Sequence, residues 1–335
     1  MNNRDIGIDL GTKTTMVGLV GSDEFLCEAS VATINIQSEN IVAIGDEAYK
    51  MVGKTPPRIK TIYPLKDGVI SNYYIAKQLV KLLVSKIKTS SLVKPRIAIC
   101  VPSSVTGIES DALVEAGISV NARQVFLIEE PFAAAIGCGM DISKPCGNMI
   151  VDIGGGTTDT AVISLYGKVI SYSVKMGGNV VDDIIIKTVK NKFDLLIGEI
   201  TAENIKINIG SLSNDYNKSM EVKGLSLKTR LPDKIIVSTK DLRNPIMKWA
   251  KEISDVAQKT LEGTPPELVG DIYEKGIVLT GGGALLHGLE EYLTKSLKTK
   301  VKVADDPKNC VIKGTLKSLS MTNVLESGFR NATKK

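Results

Sequence analysis

Two stretches of this chain lie in register with each other. IGIDLGTKTTMVGLV (6–20) and MIVDIGGGTTDTAVI (149–163) align with Asp9 on Asp152, Gly11 on Gly154, Thr14 on Thr157 and Thr15 on Thr158, each pair 143 residues apart. Gly-Thr turns recur widely, but four matches in one register at the head of each half indicate a duplicated unit. Each copy reads as an apolar strand, a tight Gly/Thr turn and a second apolar strand. Each is therefore expected to be a β-hairpin with a carboxylate at the end of its first strand. This doubling restricts the chain to folds made of two related halves.

Further strands follow at 96–102, 124–131, 168–178 and 275–283. Helical periodicity places Ile75, Leu79, Leu82, Leu83 and Ile87 near one face of 73–87, and Met247, Ala250, Ile253, Ala257 and Leu261 on one face of 244–263. Trp249 lies off that stripe and is expected to rest on a neighbouring element. Alternating strands and helices give an α/β fold. The stretches 30–72 and about 180–243 fit this alternation worst, and each reads as an insertion in its half. Aromatics are only 4% of the 335 residues, so the core is expected to be aliphatic, as suits a parallel sheet covered on both faces.

Several functions are disfavoured early. A net charge of +5 without a basic stripe gives no sign of nucleic acid. Cys27, Cys100, Cys138, Cys146 and Cys310 are scattered and form no CxxC, which fits a reducing cytosol without a metal cluster. There is no leader-like N-terminal run and no apolar stretch of about 18 residues, so a cytoplasmic chain that does not span a membrane is expected.

The chemistry concentrates in the two turns. GxxxxGK[ST] is absent, and the glycine turns lead into strands, which excludes both a Walker A loop and a dinucleotide fingerprint. What remains is a pair of strand–turn–strand phosphate grips, in which successive backbone N–H groups converge on an anion. A nucleoside triphosphate brings Mg²⁺, which keeps several waters. Asp9 and Asp152 are placed to hold such an ion through water, although each also suits a turn cap. Glu129 and Glu130 end an apolar strand, and one of them would orient an attacking water. Gly281, Gly282 and Gly283 follow a strand and read as opening a helix, a turn fit for adenosine or its α-phosphate. His287, in that helix, reads as structural. Glu203 and Lys206 read from spacing alone as a surface ion pair.

The stretches GIDLGT, YPLKDGVI, VFLIEEPFAAAIG, VDIGGGTTDTAVISL, GEITAENIKINIG and GIVLTGGGALLHGLEEYL together resemble the MreB family of the actin/Hsp70/sugar-kinase superfamily. The resemblance implies an actin-like fold: two duplicated RNase H-like lobes around a nucleotide cleft, each with a small inserted subdomain. The first lobe would span 1–145 with its insertion at about 30–72, completed by 316–335. The second would span 146–315 with its insertion at about 180–243. The family binds and hydrolyses ATP, forms paired protofilaments at the inner face of the cell membrane and supports cell shape.

Carried onto this chain, the phosphate turns are Gly11–Thr12–Lys13–Thr14 and Gly154–Gly155–Gly156–Thr157. Glu130 and Thr157 match the pair that positions the hydrolytic water. Glu203 and Lys206 match residues flanking base and ribose, and Gly281, Gly282, Gly283 and Ala284 match the adenosine turn. ATP or ADP with Mg²⁺ are the implied ligands. Two departures stand out. The first turn reads GTKT where the family reads GTAN, so Lys13 adds a cation beside the phosphates. Gly117 stands inside a helix at 107–120, where glycine costs about 1 kcal/mol relative to alanine. Family members insert a hydrophobic dipeptide near Leu92 and Val93, although these residues also suit the start of the next strand. The basic tail, with Arg330, Lys334 and Lys335, would add to membrane contact. A plasmid-partitioning actin and a small-molecule kinase of the same superfamily remain the alternatives. A chaperone of that superfamily would need a further substrate domain.

Overall fold

The computed structural model describes residues 5–22, 24–87, 94–103, 105–325 and 328–333. Leu92, Val93, Lys334 and Lys335 lie outside them. The repeat becomes two matching hairpins. Ile6–Leu10 pairs antiparallel with Thr14–Leu19, and Asn148–Ile153 pairs antiparallel with Thr158–Ser164. Each turn closes with the same bond: Gly11 N–H donates to the Thr14 carbonyl at 3.1 Å, and Gly154 N–H donates to the Thr157 carbonyl at 2.9 Å.

Each hairpin seeds a sheet of the same order. In the first sheet Phe25–Ala29 continues the hairpin on one side, and Arg96–Val101 and Gln124–Glu129 extend it in parallel on the other. In the second sheet Gly167–Val174 takes the place of Phe25–Ala29, while Ile277–Thr280 and Val301–Val303 supply the parallel strands. Phe329–Asn331 adds an antiparallel edge strand to the first sheet only. The strand interiors are apolar on both faces: Ile6, Ile8, Ile97, Ile99 and Val125 are fully buried in the first half, and Met149, Val151, Val162 and Leu279 in the second.

Helix Tyr73–Lys86 buries Ile75, Ala76, Leu79, Val80 and Leu83 against the first sheet, close to the face read from the sequence. Gly117 in helix Gly107–Ser119 has a packing reason. A Cβ there would lie 2.8 Å from a methyl group of Val125 on the strand beneath. Helix Thr239–Glu262 begins earlier than 244 because Ser238 and Asp241 form a reciprocal capping box. Pro245 lies inside this helix and does not start it. Trp249 is 1% exposed, and its indole Nε1–H donates to the Met176 carbonyl at 3.0 Å. Glu130–Gly137 and Cys310–Ser318 cross between the two sheets. A Cβ on Gly137 would stand 1.8 Å from the Cys310 carbonyl oxygen, and one on Gly314 1.7 Å from that of Ala133. Only glycine permits this approach.

Two three-stranded antiparallel sheets lie apart from the main ones, formed by Ala32–Asn35, Ile41–Ile44 and Ile59–Ile62, and by Leu195–Leu196, Ser219–Ser226 and Pro232–Ser238. Helix Gly178–Phe193 buries Val181, Ile185 and Val189 in the core of the second half. Among the described residues no helix is long and apolar enough to cross a membrane.

Candidate functional site

One cavity of about 480 Å³ gathers most of the residues singled out in the sequence. Its wall includes Asp9, Gly11 to Thr14, Glu130, Asp152, Gly154 to Thr157, Glu203, Lys206 and Gly281 to Gly283. Ala284 is 2% exposed and lies in the core of the second half. Residues 143 positions apart in the two copies thus meet because the two hairpins face each other.

The turns approach closely. A Cβ on Gly155 would lie 2.7 Å from Cβ of Lys13, and one on Gly156 2.5 Å from the Thr12 hydroxyl oxygen. Each turn is braced from behind. Ser30 donates its hydroxyl to the Gly11 carbonyl at 2.6 Å and shares a 2.8 Å bond with the Thr15 hydroxyl. In the second turn the carbonyls of Gly154, Gly155 and Gly156 accept from the amides of Gly178, Asn179 and Gly177 at the start of helix Gly178–Phe193. With its carbonyls fixed in this way, the turn keeps the amides of Gly155, Gly156 and Thr157 for an anion.

Behind the turns lies a concentration of acid. Burial, and next the charge of Asp152, push Asp9 up to about 7. Burial pushes Asp152 up to about 7 as well, with the Thr280 hydroxyl bond at 2.7 Å opposing and the Asp159 charge adding. Burial lifts Glu130 well above the ordinary glutamate value, reinforced by Asp159, Asp152 and Asp9. Buried acids that raise one another call for a cation between them. Among the described residues no three His, Cys, Asp or Glu are close enough to hold a metal directly. Asp9 and Asp152 are the residues that would hold a hydrated hard cation such as Mg²⁺ through water.

Sequence reading missed Asp159. It is fully buried, pairs with Asp152 across the hairpin, and is pushed by burial up to about 6, with Ser173 and Thr157 opposing. The repeat held the signal, because Asp159 stands where the first copy has Met16, a carboxylate at an inward strand position. Glu129 turns elsewhere and takes both its bonds, at 2.8 Å, from Lys168 of the second sheet.

The structure corrects two expectations about charge. Glu203 and Lys206 do not form a surface pair with each other. Glu203 meets Lys13 at 3.0 Å and accepts the Tyr49 hydroxyl, while Lys206 meets Asp182 at 2.8 Å and donates to the Gly178 carbonyl at 3.1 Å. The Lys13 ammonium also comes within 3.7 Å of Asp182, so it is directed at helix Glu199–Ile209 and helix Gly178–Phe193. Tyr49 and Asp182 carried no sequence signal, since neither belongs to a repeat or motif. The triple glycine opens a 3₁₀ turn over Gly282–Leu285; the helix starts only at Leu289, after Gly288 at φ 80°. His287 bonds the Ser211 hydroxyl at 2.8 Å and stacks 4.2 Å from the Tyr216 ring, which accounts for it structurally.

The family model for MreB/Mbl protein matches residues 3–327. The cell shape-determining protein Mbl of Bacillus subtilis is 43% identical over 93% of this chain and 94% of its own length. The cell shape-determining protein MreB of Escherichia coli is 40% identical over 97% and 95%. The crystal structure of MreB5 of Spiroplasma citri bound to AMPPNP superimposes with a TM-score of 0.90 at 36% identity, covering 96% of this chain and 98% of that one. A MamK double helical filament, at 22% identity and a TM-score of 0.81, shares the fold. With matching hairpins, matching sheet orders and this agreement along nearly its whole length, the chain belongs to the MreB/Mbl family and has an actin-like fold.

Proposed function

We propose that the chain binds ATP with Mg²⁺ in the cleft, hydrolyses it to ADP, and couples that cycle to assembly into paired filaments that support cell shape. The observation that carries this reading is the pair of braced glycine turns facing across one cavity, with Asp9 and Asp152 behind them. The related MreB5 of Spiroplasma citri, crystallised with AMPPNP and with ADP, supports it. The two lobes would be 1–145 with 316–335, and 146–315.

The amides of Gly11 to Thr14 and of Gly154 to Thr157 bind the β- and γ-phosphates. Gly281 to Ala284 carry the adenosine, and Glu203 and Lys206 flank base and ribose. Glu130 accepts a hydrogen bond from the attacking water, and Thr157 holds that water in line. When bound, Mg²⁺ neutralises charge on the phosphate oxygens. A small-molecule kinase would need a further carboxylate over the γ-phosphate for its acceptor; the carboxylates on the cavity wall, Asp9, Glu130, Asp152 and Glu203, each have another assigned role. Attachment to the inner membrane face is assigned to Leu92, Val93 and the basic tail. Sedimentation with ATP, ADP and a non-hydrolysable analogue tests the reading. Pelleting that depends on the nucleotide is expected; ATP turnover that needs an added sugar, with no pelleting, would replace the filament with a kinase.

A further inference from the structure

Glu203 and Lys206 of helix Glu199–Ile209 line the cleft, and the same helix reaches Tyr49 and Tyr63 of the first half. Helix Glu199–Ile209 of the second half extends toward the first and is held there by Tyr49, Tyr63 and Lys13 and by the packing of its own Ile200. The Tyr49 hydroxyl donates to Glu203, and the Tyr63 hydroxyl donates to Glu199 at 2.7 Å. Lys13, on the first phosphate turn, meets Glu203 at 3.0 Å. Ile200 packs into an apolar cluster of Ala29, Val31, Ala48 and Val52. Glu199 and Glu203 lie one helical turn apart, so both face the same neighbour. Neither tyrosine lies on the wall of the cavity.

We propose that Tyr49, Tyr63 and Lys13 are positioning residues for the nucleotide. They clasp helix Glu199–Ile209 over the cleft and set how fast bound nucleotide leaves. The idea rests on the reading that the cleft holds ATP. Its physical basis is that a ligand enclosed between both halves escapes only when these contacts open. The charges agree. Burial acts to raise Glu203, but the Tyr49 hydroxyl and Lys13 hold it below the usual glutamate value, so it accepts as the anion. Burial, followed by the bond to Glu203, raises the Tyr49 phenol, which keeps its donor proton.

Stopped-flow release of fluorescently labelled ATP and ADP from the full chain is the test. Tyr49→Phe and Tyr63→Phe should each speed release by about two- to tenfold, the factor expected for one lost hydrogen bond. The factor should be the same for both nucleotides, because neither hydroxyl touches phosphate. Lys13→Met should also speed both, and should remove the salt dependence of the wild-type rate; Lys13→Arg should restore it. Unchanged release in both tyrosine variants overturns the clasp. Faster release of ATP alone in Lys13→Met would assign Lys13 to the γ-phosphate and remove it from the clasp. Hydrogen exchange over 199–209 without nucleotide separates the two levels of the argument. If wild-type chain binds no labelled nucleotide, the reading of the cleft fails. Faster exchange in the tyrosine variants would then leave the clasp as a contact of the fold with no part in nucleotide release. Unfolding temperatures within error of wild type are required of each variant, and the Tyr→Phe changes keep the ring packing.

Discussion

On the proposed function, Glu130 is the residue on which hydrolysis turns. It begins helix Glu130–Gly137, lines the cleft, and has Asp9, Asp152 and Asp159 as its charged neighbours. Glu130→Ala should retain ATP binding, read by titration of a fluorescent analogue, because the phosphate grips are backbone. Phosphate release should fall about 10²- to 10⁴-fold. Unchanged release would remove Glu130 from the mechanism. Residues of this kind are legible in sequence when a repeat or a broken hydrophobic run marks them, as with Asp9, Asp152 and Glu130. Tyr49 and Asp182 are illegible for a physical reason: their partners come from segments far along the chain, and nothing local marks either residue. Lys13 was visible, but the direction of its ammonium depends on Glu203 and Asp182 and so on the assembled cleft.

Among the elements, helix Thr239–Glu262 shows how a local rule sets a boundary. The sequence reading placed its start at 244, yet the Ser238–Asp241 box satisfies the free amides earlier and fixes the first turn. Burial acts to raise the Asp241 carboxyl, but Lys192 and then the Ser238 hydroxyl and amide hold it below its ordinary 3.8. A carboxyl depressed in the folded state lends stability above its unfolded value, and that stability is lost as pH falls through the folded one. Asp241→Asn should therefore cost about 1 kcal/mol at pH 7. Urea unfolding should show the difference from wild type shrinking below pH 3.8. A difference that persists there would mean the cap acts without its charge.

At the scale of the whole molecule, the duplication was the most legible property. Sheet order follows from it once each hairpin is extended on the same sides. The crossing of Glu130–Gly137 with Cys310–Ser318 was not legible, because Gly137 and Gly314 look like ordinary breaks in short helices until the two backbones are seen together. Membrane attachment is tested on the intact chain. Leu92→Ser with Val93→Ser should reduce co-sedimentation with anionic liposomes at low salt, while nucleotide-dependent pelleting persists. No loss of liposome binding would move attachment elsewhere.

The glycine crossing has a mechanical corollary. A contact in which carbonyl oxygens occupy the places of two missing methyl groups cannot be compressed. The two helices therefore cannot come closer at this crossing, and a relative movement of the halves has to pivot about it. Glu130 begins the helix that carries Gly137, and Tyr63 bonds Glu199 on the opposite half. On the proposed function, a pivot that displaces the carboxylate would also displace these outer contacts, linking the state of the nucleotide to the outline a second copy meets.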